Sequence, residues 1–201
     1  MTYNIILLHH FYGFPDLIDE CSNNIRYVQV LRLLGRKEFP PNNTIFFCCT
    51  SNEDKRLQSI QRIAELDYNY KWINYVDDKD TKRYGKHVQS VEDLLNKTDI
   101  ELTPTNTNLI IGGTNTTGCI LRRAPVSVTN WTDLGFNVKI CLSMCVDYQS
   151  DGISAADGNQ RAAAILYQYI KANDIVNQVD VFYDILDCTK AGMRRDWRRK
   201  S

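Results

Sequence analysis

Asn108-Leu109-Ile110-Ile111-Gly112-Gly113-Thr114-Asn115-Thr116-Thr117-Gly118-Cys119-Ile120 is the stretch on which the fold turns. An apolar run ends at two glycines. Thr116 follows Gly113 by three residues, and Cys119 follows Thr116 by three. The run reads as a buried strand, and the residues after it as the first turn of a helix. That junction puts Cys119 near a helix N-terminus, where unpaired amides and the helix dipole favour a thiolate. The same amides could receive a developing oxyanion. The plain alternative is a small buried residue at a strand–helix junction, in a chain that carries seven cysteines.

Outward from this stretch, short apolar runs alternate with helical periodicity. Asn4–His9 and Thr44–Cys49 read as strands, Tyr70–Val76 as a weaker one, Val138–Leu142 as another, and Val179–Leu186 as a last. Between them, Leu17, Cys21, Ile25, Val28, Leu31 and Leu34 recur at helical spacing and mark one face of a long helix that stops near Gly35. Leu57, Ile60, Ile63 and Leu66 mark a second helix, Val91, Leu94 and Leu95 a short third, and Ala162–Ile170 an amphipathic fourth. A helix from about Thr117 meets Pro125, which requires a kink or an early break. Strands alternating with helices predict a mostly parallel sheet of about six strands with helices on both faces. In such sheets ligands sit beyond the carboxyl ends of the strands. His9, the charged loop from Asp77 to Lys86, and Cys119 all fall on that edge.

A chain of 201 residues fits one domain, and 24 basic against 24 acidic residues leave no bulk charge to favour nucleic acid or membrane. No segment reaches the length of a membrane span, and the apolar start lacks the basic flank of a signal peptide. Seven cysteines, an odd number, with no C-x-x-C pair, read as reduced thiols in a cytoplasmic protein rather than a disulfide framework.

The G-x-x-T-x-x-C pattern of Gly113, Thr116 and Cys119 after a strand resembles that of the isochorismatase-like cysteine hydrolases, which include the nicotinamidases. The resemblance covers about Asn4 to Ile170. It implies Cys119 as the nucleophile, a peptide bond within Gly113–Thr114–Asn115 that is cis, and Thr114, Asn115 and Phe11 beside the substrate. It further implies an Asp at the end of the first strand, in a pattern apolar-apolar-D-x-Q-x-x-F, and a Lys in the loop after the third strand, just before an R-Y pair. Aligned through Phe14, His9 stands at the Asp position and Phe11 at the Gln position. Arg83-Tyr84 matches the R-Y pair, which makes Lys82 the nearest lysine, with Lys79 and Lys86 as alternatives. The family often carries D-A after the fifth strand, where this chain reads Ser143-Met144-Cys145.

The substitution at His9 bears on the chemistry. An imidazole can accept a thiol proton as a carboxylate does. A cation such as Lys82 beside it would lower its pKa and weaken it as a base. No third group that would orient a catalytic histidine is identifiable. No cofactor signature is present, since Gly112-Gly113 belongs to no dinucleotide or phosphate loop. Some nicotinamidases hold a metal with an Asp and two His in the loop after the second strand. This chain has three histidines, His9, His10 and His87, and none in that pattern. On a strand, adjacent His9 and His10 face opposite sides and share an ion poorly, so no metal is expected.

These observations divide the chain into an isochorismatase-like α/β domain over residues 1–190 and a basic tail over 191–201. In the tail Arg194, Arg195, Arg198, Arg199 and Lys200 surround Trp197. The tail is the only feature suited to nucleic acid, and a solvated terminus explains it as well. Loss of the Asp, the Gln and the later D-A pair favours a degenerate member of the family that acts as a macromolecular binding or scaffold module with a protein partner. The alternative is a metal-independent cysteine hydrolase of a small amide-like substrate, using Cys119, His9 and Lys82. The family's habit of forming dimers or larger assemblies makes self-association an expectation as well.

Overall fold

In a computed structural model, the structure describes residues 1–11, 20–49, 55–76, 88–147 and 155–189. Lys82 with its alternatives Lys79 and Lys86, Arg83-Tyr84, Phe14 and the basic tail lie outside them.

Six strands form one sheet: β1 (Tyr3–His9), β2 (Thr44–Cys49), β3 (Lys71–Tyr75), β4 (Thr107–Thr114), β5 (Val138–Val146) and β6 (Val179–Phe182). Their order is β3-β2-β1-β4-β5-β6, and every neighbouring pair is parallel. Helices cover both faces, which is why the central strands read as unbroken apolar runs. On one face Ile5, Leu7, Ile45, Phe47, Leu109 and Ile111 pack in one core. That core takes in α3 (Val91–Leu95), α4 (Val128–Asp133) and α5 (Ala155–Ala172). On the other face Ile6, Leu8, Phe46, Cys48 and Ile110 pack against α1 (Glu20–Leu33) and α2 (Lys55–Leu66). Among the described residues, no helix is long and apolar enough to cross a membrane.

The last strand, expected over Val179–Leu186, ends at Phe182, and two further elements of the sheet and its cover depart from the sequence expectation. The first is α1. Within the helix its expected core stripe faces out: Ile25, Val28 and Leu31 are 45%, 49% and 43% exposed, while Tyr27, Val30 and Leu33 are buried; of the same stripe, Leu34, just past the helix, is buried as expected. Both sides of this helix carry apolar residues at helical spacing, so periodicity could not choose between them. Polar anchors made the choice. The buried Arg26 guanidinium lies 4.5 Å from the centroid of the Phe11 ring, and its Nε donates to the Met144 carbonyl at 3.4 Å. Gln29 Oε1 accepts from the Ile185 amide at 3.2 Å. Arg32 pairs with Asp184 across the outer edge. Burial pushes the Asp184 carboxyl up, but the Leu186 amide and Arg32 outweigh it and hold it below the usual carboxylate range.

The second departure is β5, which runs to Val146 rather than stopping at Leu142. Its pairing with β4 jumps from Ile111↔Ile140 to Gly113↔Cys145. The extra residues on β5 form an irregularity, and the Ser143 amide turns to the Tyr183 carbonyl at 2.9 Å. A bulge of this kind re-aims the residues beyond it. Here it carries Cys145, Val146 and Asp147 to the carboxyl edge of the sheet.

Candidate functional site

Strand register assembles the carboxyl edge. His9, the last residue of β1, lies level with Cys49 on one side and Gly113 on the other, and Cys49 lies level with Tyr75. Gly113 adopts φ +145°, and a Cβ there would overlap the His9 carbonyl oxygen. Close approach of β4 to β1 therefore requires glycine at this position.

After β4 the Thr114–Asn115 peptide bond is cis, within the stretch where the resemblance places one. The chain then winds into a π-helical segment, Thr116–Arg123, rather than an α-helix. The Ile120 amide bonds the Asn115 carbonyl at 3.1 Å, and the Ala124 amide bonds the Cys119 carbonyl at 3.1 Å. Both are i to i+5 contacts, the wide winding that often appears at functional sites. The segment ends at Arg123, with Ala124 as its C-cap ahead of Pro125, and α4 starts after its N-cap Ser127. The expected early break is present.

Asn115 governs the start of this segment. Its side-chain Oδ1 accepts from the Gly118 amide at 3.3 Å, and its carbonyl accepts from the amides of Gly118 and Ile120. Two amides that flank Cys119 are thus spent on local structure, which leaves fewer donors for an oxyanion than a bare helix start offers.

Cys119 itself is half-buried, whereas Cys48, Cys49, Cys141, Cys145 and Cys188 are buried. Burial, then the neighbouring Cys141, pushes the Cys145 thiol up to about 12. Native-state alkylation with iodoacetamide followed by mass spectrometry should therefore modify Cys119 ahead of these five. Modification of Cys49 or Cys145 at the same rate would contradict the placement.

His9 is buried, and its Nδ1 lies 3.2 Å from the Tyr75 hydroxyl. His10 is half-buried and leaves the strand at φ +42°, a conformation few non-glycine residues adopt. This turn corrects the expectation that the two imidazoles face opposite sides. Their ring centroids lie 4.5 Å apart, edge to face. The Cys49 sulfur lies 3.8 Å from His10 Nδ1 and 4.0 Å from Nε2. Strand alternation ends where the strand ends, and His10 is the first residue past it. Among the described residues, no hydrogen bond joins the Cys119 thiol to either imidazole.

Thr114 is buried at the end of β4, and its hydroxyl has no hydrogen-bond partner among the described residues; the same holds for Thr116. Phe11 is fully buried, edge-on to Tyr27 with ring centroids 5.5 Å apart and beneath Arg26, so it packs α1 onto the sheet. Sequence reasoning missed Tyr75, Cys49 and Asp147. Asp147 is buried directly after β5, and its Oδ2 accepts from the Thr117 hydroxyl at 2.6 Å. A carboxylate thus does follow the fifth strand. Ser143-Met144-Cys145 lies inside β5, because the strand continues past the apolar run that ends at Leu142. The donor set that some nicotinamidases use for a metal does not fit this chain. Cys49, at the end of β2, packs in the core, and the five residues after it include no histidine.

No family model and no curated protein matches the chain. Solved structures do. One is a protein from Oleispira antarctica assigned as an isochorismatase hydrolase, at 16% identity and TM-score 0.52, covering 94% of this chain and 96% of that one. Another is a protein from Chromobacterium violaceum assigned as a hydrolase of the isochorismatase family, at 14% identity and TM-score 0.49, covering 94% and 93%. A third is a nicotinamidase from Staphylococcus aureus, at 15% identity and TM-score 0.47, covering 90% and 100%. Identities this low speak to the fold, and the first match carries that conclusion. It runs nearly the full length of both chains, over the same all-parallel arrangement that the strand register shows, so the fold of this protein is isochorismatase-like.

Proposed function

We propose that this protein is a binding module on an isochorismatase-like fold, which recognises a protein partner through α1 and does not assemble the hydrolase chemistry at Cys119. The observation that carries this reading is the inverted patterning of α1. Arg26 and Gln29 point into the core while Ile25, Val28 and Leu31 face out. A row of exposed apolar residues along the solvent side of a helix offers a surface for a partner. Beside it Arg32 pairs with Asp184, while Arg56 donates to the neutral Asn24 side chain and keeps its charge. The stripe itself, Ile25, Val28 and Leu31, is apolar and suits the apolar face of another protein. The rim supports the same reading. Among the described residues no hydrogen bond joins the Cys119 thiol to the imidazole at the family's carboxylate position, and the flanking amides are engaged by Asn115. The domain would work in a reducing compartment such as the cytoplasm, where its cysteines stay thiols.

Cys119 favours a second reading, a cysteine hydrolase of a small amide-like substrate. It is half-buried where Cys48, Cys49, Cys141, Cys145 and Cys188 are buried, and it sits one turn past the central strand. One experiment separates the two. Wild type and Cys119→Ala are assayed against nicotinamide and a panel of small amides, and partner capture is followed in wild type, Cys119→Ala and Val28→Asp. The binding reading expects no turnover, capture unchanged by Cys119→Ala, and capture lost in Val28→Asp. Val28→Asp changes an exposed position, so its stability should stay within about 0.5 kcal/mol of wild type. Turnover abolished by Cys119→Ala would overturn the binding reading. So would capture that survives Val28→Asp. Light scattering on Val28→Asp shows whether the lost partner was a second copy of the chain.

A further inference from the structure

We infer that the ends of β1 and β2 form a binding site for a late first-row divalent ion, Zn2+ above all, held by His9, His10 and Cys49. The ligand atoms of these three side chains all lie within 4.8 Å of one another. In tetrahedral zinc coordination, bond lengths near 2.05 Å to nitrogen and 2.3 Å to sulfur set ligand–ligand edges of about 3.3 Å for N···N and about 3.6 Å for N···S. The Cys49 sulfur already lies 3.8 Å and 4.0 Å from the two His10 ring nitrogens. Because those distances are nearly equal, a modest ring rotation presents either nitrogen to a shared ion. The His9 ring lies edge-to-face with that of His10, with ring centroids 4.5 Å apart.

Three further features fit an ion. Two imidazoles and a thiolate form a borderline-soft donor set, which selects zinc and its neighbours over magnesium or calcium. The Tyr75 hydroxyl holds His9 Nδ1 at 3.2 Å. Metal-bound histidines are held in this way, with the second ring nitrogen tied to an outer partner that fixes the tautomer and presents Nε2 to the ion. Burial also grades across the site: His9 and Cys49 are buried and His10 is half-buried, so the ion has a way in past His10. Three protein ligands leave a fourth position for an exogenous donor such as water, a carboxylate or a thiolate. On binding, the Cys49 thiol proton leaves to solvent, and both imidazoles bind in the neutral form. The donors come from the last residue of one strand, the residue after it and the last residue of the next strand. They are not the Asp and two His of the loop after the second strand that some nicotinamidases use.

The inference stands apart from the function proposed above, and its test does not use activity. Full-length protein, reduced and stripped of metal, is titrated with Zn2+ by calorimetry and with Co2+ by absorbance. One ion per chain is expected, with a near-ultraviolet thiolate-to-cobalt charge-transfer band. Cys49→Ser should erase that band. His10→Ala should weaken Zn2+ binding at least tenfold, and Tyr75→Phe by about ten- to a hundredfold. Cys49 lies in a core strand, and its substitution can cost folding. His10 lies off the strand and half-buried, so His10→Ala, checked by circular dichroism, keeps the test decisive. Three outcomes would overturn the site: no uptake by folded wild type, a charge-transfer band that survives Cys49→Ser, or equal Zn2+ affinity in wild type and His10→Ala.

Discussion

Gly113→Ala is expected to unfold the protein, or to lower its stability by more than about 4 kcal/mol, the range reserved for severe local conflicts. Gly113 combines two constraints. Its φ of +145° is one that side-chain-bearing residues rarely adopt. A Cβ there would also overlap the His9 carbonyl oxygen and lie 2.7 Å from its carbonyl carbon. Those atoms are backbone, so no flexible side chain can swing aside. His9 and Gly113 are register partners in the two central strands, and relief of the clash means parting β1 from β4 at the edge that carries the candidate site. Urea denaturation followed by circular dichroism measures the loss. Gly118→Ala is the matched control, because the nearest atom to a Cβ there is 3.5 Å away and the residue lies in a helical segment. Alanine is the better helix former by about 1 kcal/mol, so that variant should match or exceed wild type. A Gly113→Ala protein with the midpoint of wild type would refute the close approach of the two strands.

The fold was legible because a doubly covered parallel sheet leaves a strong trace. Asn108–Gly113, Asn4–His9 and Thr44–Cys49 are apolar without alternation, and that is the mark of strands buried on both faces. What was not legible depended on information that periodicity lacks. The orientation of α1 is set by Arg26 over Phe11 and Gln29 against Ile185, contacts between residues distant in sequence. The true end of β5 is set by the irregularity opposite Ile111 and Gly113, where Ser143 interrupts the apolar run without ending the strand.

The site divides along the same line. Cys119 and its glycine–threonine spacing could be read because they are local and the strand before them is unmistakable. The meeting of His9, His10, Cys49 and Tyr75 could not. It depends on register between three strands and on the single positive φ that takes His10 off the strand. Asp147 was within reach. Extending the apolar count past Ser143 through Met144, Cys145 and Val146 ends on a carboxylate, the place where the resembled family often has one. The charged loop with Lys82 rests on the sequence alone and lies outside the described residues.

Trp131→Ala is expected to cost about 3–5 kcal/mol, the usual loss when a fully buried large aromatic is truncated. Trp131 has no exposure and packs edge-on to Phe136, with ring centroids 4.9 Å apart. Its helix, α4, ties down the end of the segment that carries Cys119. The Thr129 hydroxyl donates to the Leu121 carbonyl at 2.9 Å, and the Asn130 side-chain amide donates to the carbonyls of Ala124 and Pro125 at 3.2 Å and 2.8 Å. Removing the indole empties the core beneath α4, so the effect should reach the π-helical segment as well. For a chain of this size each kcal/mol moves the melting temperature by about 2–4 °C, which predicts a fall of about 6–20 °C. Cys119 should also alkylate faster in the native state as its segment loosens. Trp131→Phe separates volume from polarity. The indole Nε1 is buried with no acceptor among the described residues, so a phenyl ring keeps most of the packing and discards a desolvated donor. Its cost should stay below about 1.5 kcal/mol, as for other shape-tolerant swaps in a core. Equal losses for Phe and Ala would mean that the indole N–H is bonded after all. A Trp131→Ala protein that melts with wild type would place the ring outside the core.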